Sequence, residues 1–233
     1  MYYCPWQGHL GHQLKDISGH ASLRAARIAG IAYLVTIVAG IFAEAYSRGS
    51  ILVANDPTRT AANLLGAEAL YRWGILADCI MLGAYLVVTA MLYRLFKPVC
   101  AGVSLVAAFF SLLGLALLVA ATGLLKLPLL QSGYAYDVLR LHGSLYGLTN
   151  LFFGPYCLLV GWLAVRSRML PKPIGWLMAL AGTVFLIEGI SAIVAPAFAQ
   201  QLPAAMPLAS LVGEGALAVW LTIFGIRQEN AHA

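Results

Sequence analysis

The chain has 233 residues, of which 61% are apolar and only 10% are charged, with a formal net charge of +5. Soluble domains carry about 25% charged residues, so this chain has too little charge to cover a water-facing surface, and lipid is the solvent it suits. Its basic residues sit in short clusters between apolar runs, a pattern that fits membrane topology and not nucleic-acid binding.

Residues 1–23 read as a polar, disordered leader with no apolar h-region, so no cleavable signal peptide is expected. Residues 24–227 read as an all-α integral membrane bundle of six spans, and 228–233 as a short cytoplasmic tail. The first span covers 28–46, after Arg24 and Arg27. The polar segment 47–72 predicts a short surface helix, with Asp56 as N-cap, Pro57 in its first turn, and Glu68 and Arg72 spaced i,i+4. The remaining spans cover 73–93, 99–125, 141–165, 174–194 and 207–226, each near the 20 or so residues that cross a bilayer. Ala26 with Gly30, and Gly143 with Gly147, are small pairs that would let helices approach closely. Pro155 should bend the fourth span by removing one backbone hydrogen bond.

With both termini inside, nine basic residues fall on the inner side. Five fall outside: Arg48, Arg59, Arg72, Lys126 and Arg140. That is the direction the positive-inside rule expects. Trp6, Trp73, Trp162 and Trp176, with Tyr46, Tyr71 and Tyr93, lie near span ends and predict interfacial aromatic belts. Cys4, Cys79, Cys100 and Cys157 are scattered and read as small hydrophobes without a disulfide framework. Cys4, His9, His12 and His20 read as incidental residues of the leader, not as a metal site. The run Gly213-Glu214-Gly215 with Ala218 mimics a dinucleotide fingerprint, but it lies inside an apolar span with no strand before it.

The acids carry the most information. Four of nine fall inside or at the end of spans: Glu44, Asp78, Glu188 and Glu214. Anchoring requires none of them, and ionisable groups at membrane depth are candidate functional groups. Counting rise per residue places all four, with Lys126 and His142, in one outer layer of the bundle. Each hairpin supplies two of the six, and the resemblance between the first and third hairpins suggests a parallel repeat. Three readings stay open. The layer could lock helices together by ion pairs, as in an accessory subunit. It could bind a proton, a cation or a small polar ligand, as in a carrier or receptor. It could serve an enzyme, with Asp78, His142, Glu188 and Glu214 around a divalent metal; one histidine and no E-x-x-H pair support that last reading only thinly. No cofactor is otherwise expected.

The run from Arg27-Ile28-Ala29-Gly30 through Ala39-Gly40-Ile41-Phe42-Ala43-Glu44 resembles the start of a bacterial multi-pass family known as domain of unknown function 4386. Arg72-Trp73-Gly74-Ile75-Leu76-Ala77-Asp78 resembles the opening of that family's second helix, and Leu141-His142-Gly143, Leu170-Pro171 and Gly213-Glu214 are similar in style. The resemblance spans roughly residues 24–227. It implies about six helices in a bacterial inner membrane and no assigned activity.

Overall fold

In the computed structural model the described residues are 19–199, 201–203 and 206–226, and all of their regular structure is helical. Hydrocarbon offers no hydrogen bonds to the backbone, and a helix satisfies its own N–H and C=O groups. Helix α1 (Gly19–Ile41) runs without a break into a seven-residue π-helix (Phe42–Arg48) and one further turn, α2 (Gly49–Ile51). After α3 (Pro57–Gly66) come α4 (Glu68–Phe96), α5 (Ala101–Leu124) and the short α6 (Leu127–Leu130). A 3-10 turn (Ser132–Tyr134) leads into α7 (Ala135–Ser167), followed by α8 (Lys172–Val194), α9 (Pro196–Ala199) and α10 (Met206–Ile223).

Six segments are long and apolar enough to cross a membrane: Leu23–Ile51, Glu68–Phe96, Ala101–Leu130, Ser132–Ser167, Lys172–Val194 and Met206–Ile223. The protein is a multi-pass membrane protein. Its long helices form a closed ring in chain order: α1 on α4, α4 on α5, α5 on α7, α7 on α8, α8 on α10, and α10 back on α1. The π-helix, α3, α6 and α9 lie at the face predicted to be outer, and the 97–100 and 168–171 connections lie at the other. Val38, Trp73, Phe109, Trp176 and Ile193 are more than half exposed on the rim, whereas Arg48, Asp78, Thr89, Ser111 and His142 are buried inside. Apolar groups face the lipid, and the polar groups hold one another.

Several details differ from the sequence reading. α7 starts at Ala135, six residues before the expected 141, and continues through Pro155. Glu68 and Arg72 form their exposed 2.6 Å pair on the first turns of α4 and not on the surface helix. Tyr71 is no belt residue: it is fully buried and donates to the carbonyl oxygen of Leu125 at 2.8 Å. Cys79 and Cys157 are free thiols, but Cys100 is disulfide-bonded, which corrects the expectation for that residue. Residues 1–18 of the leader, with Cys4, Trp6, His9 and His12, lie outside the described residues, as does the tail.

The cap of α3 is as expected. Asp56 accepts from the backbone N–H of Arg59 at 2.9 Å, and Pro57 opens the helix. Asp56→Ala should cost this helix about 1 kcal/mol. Amide exchange over 57–66 would then quicken while the melting temperature of the bundle stays put; a uniform loss across the bundle would contradict this.

Glycines set the closest approaches. Gly30 of α1 lies so near α10 that a Cβ there would meet the Thr222 backbone nitrogen at 2.5 Å, so the predicted Ala26/Gly30 contact is used. Gly143 and Gly147 have nothing within 4 Å of such a Cβ. The α7–α8 contact instead uses Gly154 and Gly161 against Gly175, Gly182 and Gly189, two series repeating every seven residues along facing helices.

Candidate functional site

The predicted outer end of the ring holds a charged cluster built from three helices. Ser47, fully buried at the end of the π-helix, lies directly against Gly74 of α4 and donates to the Leu70 carbonyl at 3.1 Å. Because Gly74 has no side chain, the π-helix can approach α4, and the next residue, Arg48, is brought over Asp78 one turn further along. Arg48 Nη1 donates to Asp78 Oδ2 at 2.6 Å and Nη2 to Asp78 Oδ1 at 3.0 Å, a two-pronged pair with both side chains buried. This fork geometry is the strong form of a guanidinium–carboxylate contact. Arg48 Nη2 also donates to Glu44 Oε1 at 2.8 Å, and His142 Nδ1 of α7 lies 3.7 Å from the same oxygen. Glu44 alone among the four keeps real access to its surroundings, with 35% of its side chain exposed. Two buried nitrogens point at no partner among the described residues, Arg48 Nε and His142 Nε2.

A second cluster sits deeper on the ring axis. Glu214 Oε1 of α10 accepts from the Tyr33 hydroxyl of α1 at 2.8 Å, from the Tyr85 hydroxyl of α4 at 3.4 Å, and from the Cys157 thiol of α7 at 3.7 Å. Tyr85 also packs against Tyr33, Phe153 and Tyr156, with ring centroids 5.6, 5.0 and 6.1 Å away. Tyr33, Tyr85, Cys157 and Glu214 lie nine to eleven residues from the inner ends of their spans. At 1.5 Å per residue that is about 14–17 Å, the middle of a bilayer's hydrocarbon core of about 30 Å. Tyr146 of α7 bridges the two levels: its ring is 6.1 Å from that of His142, and its hydroxyl is within electrostatic range of Glu44 and Glu214 alike.

The six predicted residues therefore separate. Glu44, Asp78 and His142 come together. Glu214 belongs to the central cluster, because its partners are mid-span tyrosines and not the outer acids. Glu188 of α8 accepts from the Asn150 side-chain amide at 3.2 Å. Lys126 is exposed and makes no ion pair among the described residues. The acids and His142 of the single outer layer thus fall into three separate sites, with Lys126 outside all of them. The metal set proposed from sequence, Asp78, His142, Glu188 and Glu214, is divided among all three. Among the described residues, no three His, Cys, Asp or Glu side chains lie together as a metal-ligand group. The first and third hairpins also differ in chemistry, one carrying an arginine-centred cluster and the other a tyrosine-ringed acid.

These helices, in which the Arg27-to-Glu44 and Arg72-to-Asp78 runs both end at the charged cluster, match over residues 28–225 the family described as Domain of unknown function (DUF4386). The chain belongs to that family. No curated protein and no solved structure matches it significantly.

In this DUF4386 member, sequence reasoning missed two kinds of residue. Arg48 looked like a loop cation because polar residues follow it, yet its i,i+4 spacing from Glu44 was the signal of a pair on one helix. Tyr33, Tyr85 and Tyr156 were not among the candidates. A tyrosine far from both span ends needs a partner for its hydroxyl when buried, and mid-span tyrosines on three helices pointed to a shared acceptor.

Proposed function

We propose that this protein is a carrier or receptor-like membrane protein that takes a proton or a small cation at Glu44, beside the fixed charges of Arg48 and Asp78 and a neutral His142. One observation carries the reading. Asp78 spends both oxygens on Arg48, so the pair is internally neutral, and Glu44 adds one further negative charge on a side chain that is 35% exposed. With His142 neutral, the cluster sums to one negative charge: plus one, minus one, minus one. A proton on Glu44, or a cation bound beside it, balances it.

The local backbone supports the same reading. π-helical turns are uncommon and recur at functional sites, and this one holds both Glu44 and Arg48. The basic-residue balance further supports residence in a bacterial cytoplasmic membrane with both termini inside, so that Glu44 opens to the exterior.

The test is a melting series of the purified protein in nanodiscs against monovalent inorganic cations, small organic ammonium ions and pH. A ligand at about a hundred times its dissociation constant adds about 2.7 kcal/mol, which would read as a clear rise in melting temperature. Glu44→Gln should abolish the response and leave the unliganded protein folded. The reading fails if no cation or pH change shifts the parent, or if Glu44→Gln responds as the parent does.

A further inference from the structure

The central cluster points to a ligand of its own, and this inference does not rest on the outer site. Glu214 lies at mid-membrane depth with Tyr33 of α1, Tyr85 of α4, and Tyr146, Tyr156 and Cys157 of α7 as its titratable neighbours. Among the described residues no lysine, arginine or histidine pairs with it, and α8 contributes no charged group to it. Among the described residues every hydrogen bond it accepts falls on Oε1, and Oε2 belongs to a partly exposed side chain. The tyrosine hydroxyls and the thiol around this carboxylate point their hydrogens at it, and no second carboxylate joins it among the described residues, so the set is poor in the anionic and carbonyl oxygens that hold a hard metal cation. The charge-balancing partner such a site takes is a proton.

A route to that site lies on the inner side. Tyr156 is 1% exposed, and its hydroxyl has no hydrogen-bond partner among the described residues. It lines a small cavity between α4, α5 and α7, about 10 Å³ and so the room of one water molecule, together with Thr89, Tyr93, Ser104 and Ala107. Thr89 and Ser111 share a 2.6 Å hydrogen bond beside it, and Ser104 donates to the Tyr93 carbonyl at 3.0 Å near the inner ends of α4 and α5. Tyr156, whose ring is 6.1 Å from that of Tyr85, thus stands between the Glu214 cluster and the Thr89, Ser111 and Ser104 hydroxyls on the side of the 97–100 connection.

We propose that Glu214 is a proton-binding carboxyl that exchanges its proton with water at the predicted inner face through this cavity. A hydronium ion from that face would give its proton to the carboxylate and leave as water, and release is the reverse.

The infrared acid C=O stretch reads this directly in nanodisc-embedded protein moved from H₂O to D₂O. The expected result is an acid band that shifts within the mixing time of a flow cell and is missing in Glu214→Gln. Ala107→Val, which fills the cavity, should slow the shift at least tenfold, and Ala107→Gly, which enlarges it, should not. If Ala107→Val does not fold, Tyr156→Phe, which removes the unpartnered hydroxyl, should slow the shift instead. The proposal is overturned if Glu214→Gln removes no acid band. It is equally overturned if Ala107→Val, or Tyr156→Phe where Ala107→Val does not fold, leaves the exchange rate where it was. Either result leaves the Glu44 reading to its own test.

Discussion

Arg48→Ala is expected to be among the most destabilising single substitutions in this protein, with a loss of about 3–5 kcal/mol. The reason is what stays behind. Asp78 is buried and, among the described residues, hydrogen-bonds through both oxygens only to Arg48, so removing the guanidinium leaves an uncompensated carboxylate between helices. Glu44 loses its 2.8 Å partner in the same step. A double replacement, Arg48→Met with Asp78→Leu, removes both charges and keeps the volume, and such replacements of buried pairs are often neutral or better. The double variant should therefore recover most of the loss. Unfolding titrations with a denaturing detergent in mixed micelles would measure all three proteins. A loss below about 1 kcal/mol for Arg48→Ala would mean that water already reaches the pair freely. A double variant that recovers stability but no longer responds to cations would separate the pair's structural role from its role as fixed charge.

The second large effect concerns the α7–α8 contact. A Cβ on Gly182 would stand 2.6 Å from the Gly154 carbonyl oxygen and 2.8 Å from the Leu158 backbone nitrogen. On Gly161 it would stand 2.6 Å from the Gly175 carbonyl oxygen. Backbone atoms cannot swing aside as a side chain can, so the two helices must separate along their length. Lipid tails supply no hydrophobic drive between helices, so close packing is a main source of their association. Gly182→Ala and Gly161→Ala should each cost about 1–3 kcal/mol by overpacking. Gly143→Ala, with nothing within 4 Å of the new methyl group, is the control and should stay within about 0.5 kcal/mol of the parent. Equal losses at all three positions would show that helix propensity or lipid contact, and not the α7–α8 approach, sets the effect.

The sequence by itself determined that this is a membrane bundle and roughly where its spans lie, because both follow from local quantities. An apolar run of about 20 residues needs a lipid solvent wherever it sits in the fold, and the cap at Asp56-Pro57 is a contact among neighbours in the chain. The Ala26/Gly30 pair was legible for the same reason. Its small residues face one way on a helix, whichever helix they meet.

Which small pair was used, and which polar groups met, only the tertiary structure decided. Gly143 and Gly154 have the same chemistry and lie on the same helix, but only Gly154 faces α8. Glu44 and Glu188 both sit near the outer ends of spans, yet one meets Arg48 and His142 and the other meets Asn150. Rise per residue gives depth along one helix and says nothing of the neighbour across from it. The ring order supplied that neighbour: it set the π-helix, α4 and α7 around the outer charges and α1, α4, α7 and α10 around Glu214.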